Sequence, residues 1–137
     1  MQILTKPSYI METVQKATKT ASLYERLGGE AKLRKIVNDI LDKNYNNPDI
    51  GHYFRKVDMK KLKQLVFEFF SMGTGGPHKY AGRDMRTSHT GLKINEEDFQ
   101  KGNIDVLRAL EENGIGEAER KEVIAILDSL KHDVIGL

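Results

Sequence analysis

Residues 22–29 read SLYERLGG, and this stretch contains signals for both the start and the end of a helix. Ser22 stands three residues before Glu25, which is the spacing of a capping box, where each side chain binds the other residue's free backbone amide. The Gly28-Gly29 pair then ends the helix, since glycine adopts turn conformations that other residues avoid. The stretch therefore predicts one short helix followed directly by a corner.

Apolar residues recur at helical spacing in four longer segments after this corner, and no segment shows the alternation of a strand. Asn46-Asn47-Pro48-Asp49 ends the first of these helices, Asp58 caps the second and Asn95 caps the third. We therefore predict an all-α fold. The predicted core-facing residues of the four helices are Leu33, Ile36, Val37, Ile40 and Leu41; Leu62, Leu65, Val66, Phe69 and Phe70; Phe99, Val106 and Leu110; and Val123, Ile124, Leu127, Leu130 and Val134.

The segment of residues 78–94 interrupts this helical pattern. It follows the sharp stop at residues 73–77, contains further glycines and is only weakly periodic, so we predict a long loop with one helical turn at Met85–His89. Loops longer than about 12 to 15 residues usually have a function, or are ordered by something that they hold. This segment is therefore the first place to look for a ligand.

The composition narrows the classes of function that remain. The length of 137 residues suits one core, and we predict a domain at residues 22–137 after an N-terminal extension at residues 1–21 that lacks the apolar core of a signal peptide. The formal charge of +2 predicts neither a nucleic-acid nor an anionic membrane partner. The absence of cysteine excludes disulfides and cysteine-bound metals, and it fits a reducing cytoplasm. No apolar run approaches the roughly 20 residues of a membrane span.

The four histidines, His52, His78, His89 and His132, are the side chains best suited to carry chemistry. None belongs to a close metal-ligand pair, and the sequence contains no phosphate-binding glycine motif or nucleophile elbow. His89 stands in the interrupted segment beside helices rich in Phe, Leu and Val, and a haem requires a comparable pairing of an apolar slot with one neutral imidazole. From the residues alone, a surface or hydrogen-bonded histidine is the commoner explanation.

Several short motifs follow one another along the chain. They are SLYERLGG at 22–29, Tyr53-Phe54, Val57-Asp58-Met59, Gly75-Gly76-Pro77, Tyr80, Gly82-Arg83, Met85, His89-Thr90-Gly91-Leu92 and Phe99. In their order and spacing these motifs resemble the group I truncated haemoglobins, over Ser22 to about Val134. The resemblance implies a shortened globin, in which two antiparallel helix pairs form a two-over-two sandwich around haem b (heme b, iron protoporphyrin IX).

The resemblance also assigns roles in a candidate haem pocket. His89 falls at the position of the proximal iron ligand, and Phe54 falls at that of the phenylalanine that packs flat on the porphyrin. Further slot-lining residues are expected at Phe70, Tyr80 and Met85, although core packing explains Phe70 and Met85 equally well. The cations expected near the haem propionates are Lys63, Arg83 and Arg86, for which ordinary solvated charge is nearly as good an explanation.

The expected distal face is apolar, with Leu41, Leu62, Leu65 and Val66 where many family members place tyrosine, glutamine or a sixth iron ligand. A distal donor stabilises dioxygen on ferrous haem and affects the less polar carbon monoxide little. The loss of one donor costs about 1 to 2 kcal/mol. We therefore expect fast oxygen release, a preference for carbon monoxide and an open sixth coordination site.

Three polar residues leave this distal interpretation open. Tyr45 lies one turn beyond Leu41, and Gln64 would turn inward if its helix were rotated, but solvent exposure or capping is favoured for both. For Asn103 the sequence favours neither a contact with haem nor solvent exposure, and the residue is kept among the candidate haem-binding residues. His132 lies two positions from the place where some family members bond a histidine covalently to haem, so we expect no covalent link.

The leading interpretation is that a monomer or weak homo-oligomer binds oxygen, carbon monoxide or nitric oxide reversibly. One alternative is nitric oxide dioxygenation with an external reductase. Another is a gas sensor that signals through a separate partner. The last is a helical interaction module without haem, which would make His89 dispensable.

Overall fold

The computed structural model describes residues 21–137, and within this range the chain forms six α-helices and two 3₁₀ turns. The range contains no strand, although Ile94 and Ile135 form one isolated parallel β-bridge. The predicted extension, residues 1–21, lies outside the described residues except for Ala21. The helices are α1 Leu23–Arg26, α2 Gly29–Asn46, α3 Met59–Gly73, α4 Met85–His89, α5 Glu96–Glu112 and α6 Glu117–Ser129, and the 3₁₀ turns are Gly51–Phe54 and Lys131–Asp133.

The helix ends confirm the predicted capping signals. Ser22 Oγ accepts the amide of Glu25, and Glu25 Oε1 accepts the amide of Ser22, both at 3.1 Å. Gly28 then turns the chain with a φ of 109°, a conformation that favours glycine. Asp58 and Asn95 cap α3 and α5 through their side chains, as predicted.

Helix α2 lies at the centre of the fold, where it packs against α3 and α5, while α5 also packs against α6. All five residues predicted for its core face are buried. Two packed pairs, α2 with α3 and α5 with α6, thus meet through the α2–α5 contact. None of the helices formed by residues 21–137 is long and apolar enough to cross a membrane.

Two details of the helices differ from the sequence prediction. The fully buried residues of α3 are Phe67 and Ser71, whereas Leu62, Val66 and Phe70 are only partly buried against the core. Their exposed sides leave an apolar surface on α3.

The last helix is shorter than its apolar pattern predicted. Helix α6 ends at Ser129, so Leu130 and Val134 lie beyond it. The chain instead makes a 3₁₀ turn that brings Ile135 beside Ile94. Val134 is still buried, so its apolar character served packing rather than helix continuation.

Candidate functional site

His89 is the last residue of α4, and its ring is held in one orientation by hydrogen bonds within that helix. Its Nδ1 lies 2.7 Å from the carbonyl oxygen of Met85 and 3.0 Å from Ser88 Oγ. Because a carbonyl oxygen only accepts, Nδ1 carries a proton, and in the neutral ring Nε2 therefore keeps its lone pair. Nε2 has no hydrogen-bond partner among residues 21–137. This is the tautomer and free nitrogen that a histidine needs to bind a metal.

The short helix that carries His89 begins with a side-chain cap. Asp84 Oδ1 accepts the amide of Thr87 at 3.2 Å, and hydrogen bonding to Thr87 lowers the pKa of Asp84 below its ordinary value. No residue of α4 is fully buried, and Met85 and His89 are half-buried. Helix α4 is thus held in place by local hydrogen bonds and by the chain segments that precede and follow it. It is not held by packing in the core.

Apolar side chains that are buried on one side only provide the surface for a flat ligand. Phe54, Leu62, Val66 and Phe70 pack partly against the core, and Met85 of α4 is half-buried as well. Among residues 21–137, no cluster of three or more His, Asp or Glu residues could hold a bare metal ion. A metal at His89 would take its remaining ligands from a prosthetic group or from solvent, and half-buried apolar side chains are the kind that line a porphyrin site.

Phe54 is positioned by the 3₁₀ turn Gly51–Phe54. The neighbouring Tyr53 hydroxyl donates to Asp98 of α5 at 2.7 Å, which ties the turn to that helix. Burial, followed by this hydrogen bond, raises the pKa of Tyr53 to about 12. A Cβ on Gly51 would lie 2.5 Å from the carbonyl oxygen of Tyr45, so only glycine fits the start of the turn.

The four predicted distal residues present no polar side-chain atom. Leu41 is buried, whereas Leu62, Leu65 and Val66 are half-buried. The possible donors are engaged or exposed. Tyr45 is 48% exposed, and the Gln64 side chain accepts from Arg34 at 2.8 Å and donates to Glu68 at 2.9 Å.

Asn103 is half-buried, and its Nδ2 donates to Asp128 of α6 at 3.3 Å. The contact places the amide against α6, whose Ile124 and Leu127 pack on the core. Its predicted contact with haem stays a prediction.

The predicted rim cations fall into two groups. Lys63 Nζ lies 2.7 Å from Asp42, so a haem propionate would compete with this ion pair. Arg83 and Arg86 are exposed, and neither has a carboxylate within 4.0 Å among the described residues. Tyr80 donates to the main-chain oxygen of Arg83, and its ring meets Phe69 edge-on, with centroids 5.3 Å apart. Burial, as the largest cause, raises the pKa of Tyr80.

Sequence reasoning missed a polar corner that positions the start of the interrupted segment. His78 Nδ1 lies 2.9 Å from Ser71 Oγ, and His78 Nε2 lies 3.4 Å from Glu30. The His78 ring packs edge-on against Phe67, with centroids 4.7 Å apart. A Cβ on Gly76 would lie 2.3 Å from Ser71 Oγ. The helical spacing of α3 carries no signal for these long-range contacts.

Comparison with known proteins agrees with this geometry. The bacterial-like globin family model matches residues 22–136. The group 1 truncated hemoglobin GlbN of Synechocystis sp. is 33% identical over 116 residues, which cover 82% of this chain and 94% of the relative. The solved Fe(III) truncated hemoglobin of Tetrahymena pyriformis superposes with a TM-score of 0.83 at 26% identity, over 85% of this chain and 100% of that one. The solved 2/2 hemoglobin of Synechococcus sp., described in a cyanomet state with covalently attached heme, has a TM-score of 0.78 at 29% identity, over 84% and 98% of the two chains.

The fold and these matches define a haem-binding globin of the truncated class. The chain belongs to the bacterial-like globin family, and it is similar to the group 1 truncated hemoglobins. This confirms the resemblance and the all-α truncated globin fold predicted from the sequence. Family membership implies a haem cofactor and a gas ligand, and so it favours these over the interaction module without haem.

Proposed function

We propose that this chain holds haem b through His89 and binds a diatomic gas reversibly, on a distal side without a hydrogen-bond donor. One observation carries the proposal. The Nδ1 proton of His89 is committed to Met85 at 2.7 Å, which leaves Nε2 as a free ligand atom. When bound, the haem iron supplies the coordination chemistry for oxygen, carbon monoxide or nitric oxide.

The protein's part in this proposal is to hold and enclose the cofactor. Phe54, Phe70 and Met85 supply apolar surface for the porphyrin, with Tyr80 at its edge. Arg83 and Arg86 are available for the propionates, since guanidinium groups bind carboxylates well. The remaining members of the proposed haem-binding set are Leu41, Leu62, Lys63, Val66 and Asn103.

The apolar distal residues favour one of the gas-related functions. Leu41, Leu62, Leu65 and Val66 cannot donate a hydrogen bond to dioxygen, so its residence time is expected to be short. Nitric oxide dioxygenation requires dioxygen to stay bound until nitric oxide arrives. We therefore propose gas binding rather than dioxygenation.

The test is the optical spectrum of the reduced protein before and after the addition of carbon monoxide. We expect a five-coordinate high-spin spectrum that changes sharply with the gas. In His89→Gly the spectrum should be lost or altered and should be restored by free imidazole. The matched control is His132→Gly, since the side chain of His132 is 80% exposed.

Three results would contradict the proposal. A low-spin six-coordinate spectrum before the gas is added would place a side chain in the sixth site. An unchanged spectrum in His89→Gly would exclude His89 as the proximal ligand, and the absence of haem absorbance would exclude haem as the cofactor.

The b type of haem, tested by a pyridine haemochrome spectrum, stays a prediction. So do the domain limits 1–21 and 22–137, an external reductase, a weak homo-oligomer and a cytoplasmic location.

A further inference from the structure

The main chain that follows His89 is hydrogen-bonded to residues 135–137 at three points. The amides of Gly91 and Lys93 both donate to the main-chain oxygen of Leu137, at 3.1 and 3.0 Å. The amide of Gly136 donates to the carbonyl oxygen of Ile94 at 2.8 Å, beside the β-bridge between Ile94 and Ile135. The 3₁₀ turn Lys131–Asp133 also packs against α4. Residues 91–94 and residues 135–137 therefore form one hydrogen-bonded unit.

Helix α4 has little rigidity of its own. It contains five residues, none of them fully buried, and helices of this length are unstable in isolation. The chain after it passes through two residues with positive φ, Gly91 at 88° and Lys93 at 56°. Lysine is uncommon in this conformation, so surrounding contacts must hold it there. The hydrogen bond from Lys93 to Leu137 is such a contact.

We infer that Ile135, Gly136 and Leu137 form a clip that positions His89 for iron binding. This inference rests on the proposed function, because it requires His89 Nε2 to be the iron ligand. The clip residues are positioning residues, since they act on the His89 ring only through the main chain of residues 90–94. The clip sets where the ring stands, whereas the Met85 carbonyl sets its tautomer and rotation.

The variant Gly136→Pro breaks the clip. It removes the amide that donates to Ile94, and proline cannot adopt the φ of 75° found at this position. Gly114→Pro is a matched control. Gly114 has the same φ of 75°, a Cβ added at either glycine would meet no atom within 4 Å, and the Gly114 amide donates to Glu111 at the end of α5. Both variants thus lose one amide hydrogen bond and strain one turn.

Three measurements on the protein as purified report on the clip. The first is amide hydrogen exchange at Gly91 and Lys93, which needs no gas-binding activity. We expect exchange to be about 10-fold faster in Gly136→Pro and unchanged in Gly114→Pro. The second is the iron–histidine stretching band of the ferrous protein, which should shift or broaden only in Gly136→Pro. Loss of haem to a scavenging globin should also become about 10-fold faster in that variant.

The outcomes separate the clip from the proposed function. If His89→Gly responds to imidazole but Gly136→Pro leaves exchange and the stretching band unchanged, the clip is wrong and the proposed function stands. Faster exchange with an unchanged band also overturns the clip as a positioning device. If His89→Gly leaves the spectrum unchanged, the proposed function and the inference both fail. Should Gly136→Pro not fold, Gly136→Ala against Gly114→Ala repeats the comparison, with an expected effect of about three- to five-fold.

Discussion

Helix α2 and the segment of residues 78–94 both contribute to the candidate haem site, but they are held in place by different forces. In α2 the side chains of Leu33 and Leu41 are only 0% and 4% exposed, and apolar packing fixes the helix. In the segment, α4 has no fully buried residue, and hydrogen bonds to Met85, Ser71 and Leu137 fix the chain. Leu41 of the predicted distal wall is thus part of the core, whereas the predicted proximal ligand, His89, stands on a locally braced loop.

The largest expected effect tests whether packing strength really differs between the two regions. Leu33→Ala should lower the free energy of unfolding by about 3 kcal/mol, because the side chain is fully buried and leaves a cavity. Met85→Ala removes a half-buried side chain from α4 and should cost about 1 kcal/mol or less. Urea unfolding of both variants, with and without haem, measures the difference. Equal losses would show that α4 is as firmly packed as α2.

The next effect concerns function at the distal wall. Leu41→Tyr introduces a hydroxyl where the wall has none, and it should slow oxygen release about 10-fold, which corresponds to one hydrogen bond of about 1.4 kcal/mol. Leu41→Phe is the control, because it adds the ring without the donor. Stopped-flow measurement of oxygen release separates the two variants. If both slow release equally, ring size and not the missing donor controls the rate.

A smaller effect concerns the turn that carries Phe54, which packs against α2 and is hydrogen-bonded to α5. The pKa of Tyr53 is raised to about 12 in the folded state, mainly by burial, so folding favours the neutral hydroxyl. Its contribution to stability is therefore complete below about pH 10 and is lost as the pH rises through about 12. Tyr53→Phe should cost about 1 kcal/mol at neutral pH and nothing at the upper end of this window. Thermal unfolding of both proteins from about pH 7 to about pH 12 tests this; a difference that does not shrink with pH would contradict it.

The smallest effects compare the cap of α5, a helix packed in the core, with the cap of α4. Asn95→Ala removes the cap of α5 and should cost about 1 kcal/mol in global stability. Asp84→Ala removes the cap of α4 and should cost about 0.5 kcal/mol or less globally, while amide exchange at Thr87 becomes faster. Urea unfolding combined with hydrogen exchange distinguishes a global from a local loss. A larger global cost for Asp84→Ala would mean that α4 unfolds together with the core.

The sequence predicted most of what depends on local patterns. The capping box at Ser22 and Glu25 and the core face of α2 are read from residues a few positions apart, and both are confirmed. The end of α6 at Ser129 could not be read in this way. The chain beyond this end pairs Ile135 with Ile94, which is far away in the sequence.

The candidate site likewise combines features that local sequence patterns predicted with features that they did not. His89 was found through a resemblance of ordered motifs, and its Met85 contact is local. The contacts of Ser71 with His78 and of Tyr53 with Asp98 join separate elements, and no spacing rule anticipates them. Sequence patterns thus indicated the chemical groups, whereas the bracing of those groups required the folded chain.

The short helix α1 has a consequence for how the chain is made. Arg26 pairs with Glu119 at 3.0 Å and also with Glu122, so α1 is joined to a helix 93 and 96 residues further along the chain. At translation rates of about 5 to 20 residues per second, the ribosome needs about 5 to 20 s to reach those partners. During this interval Leu23 and Leu27, which are buried in the finished fold, lack part of their cover. Helix α1 is therefore made before the other helices of residues 21–137 but is among the last of them to dock.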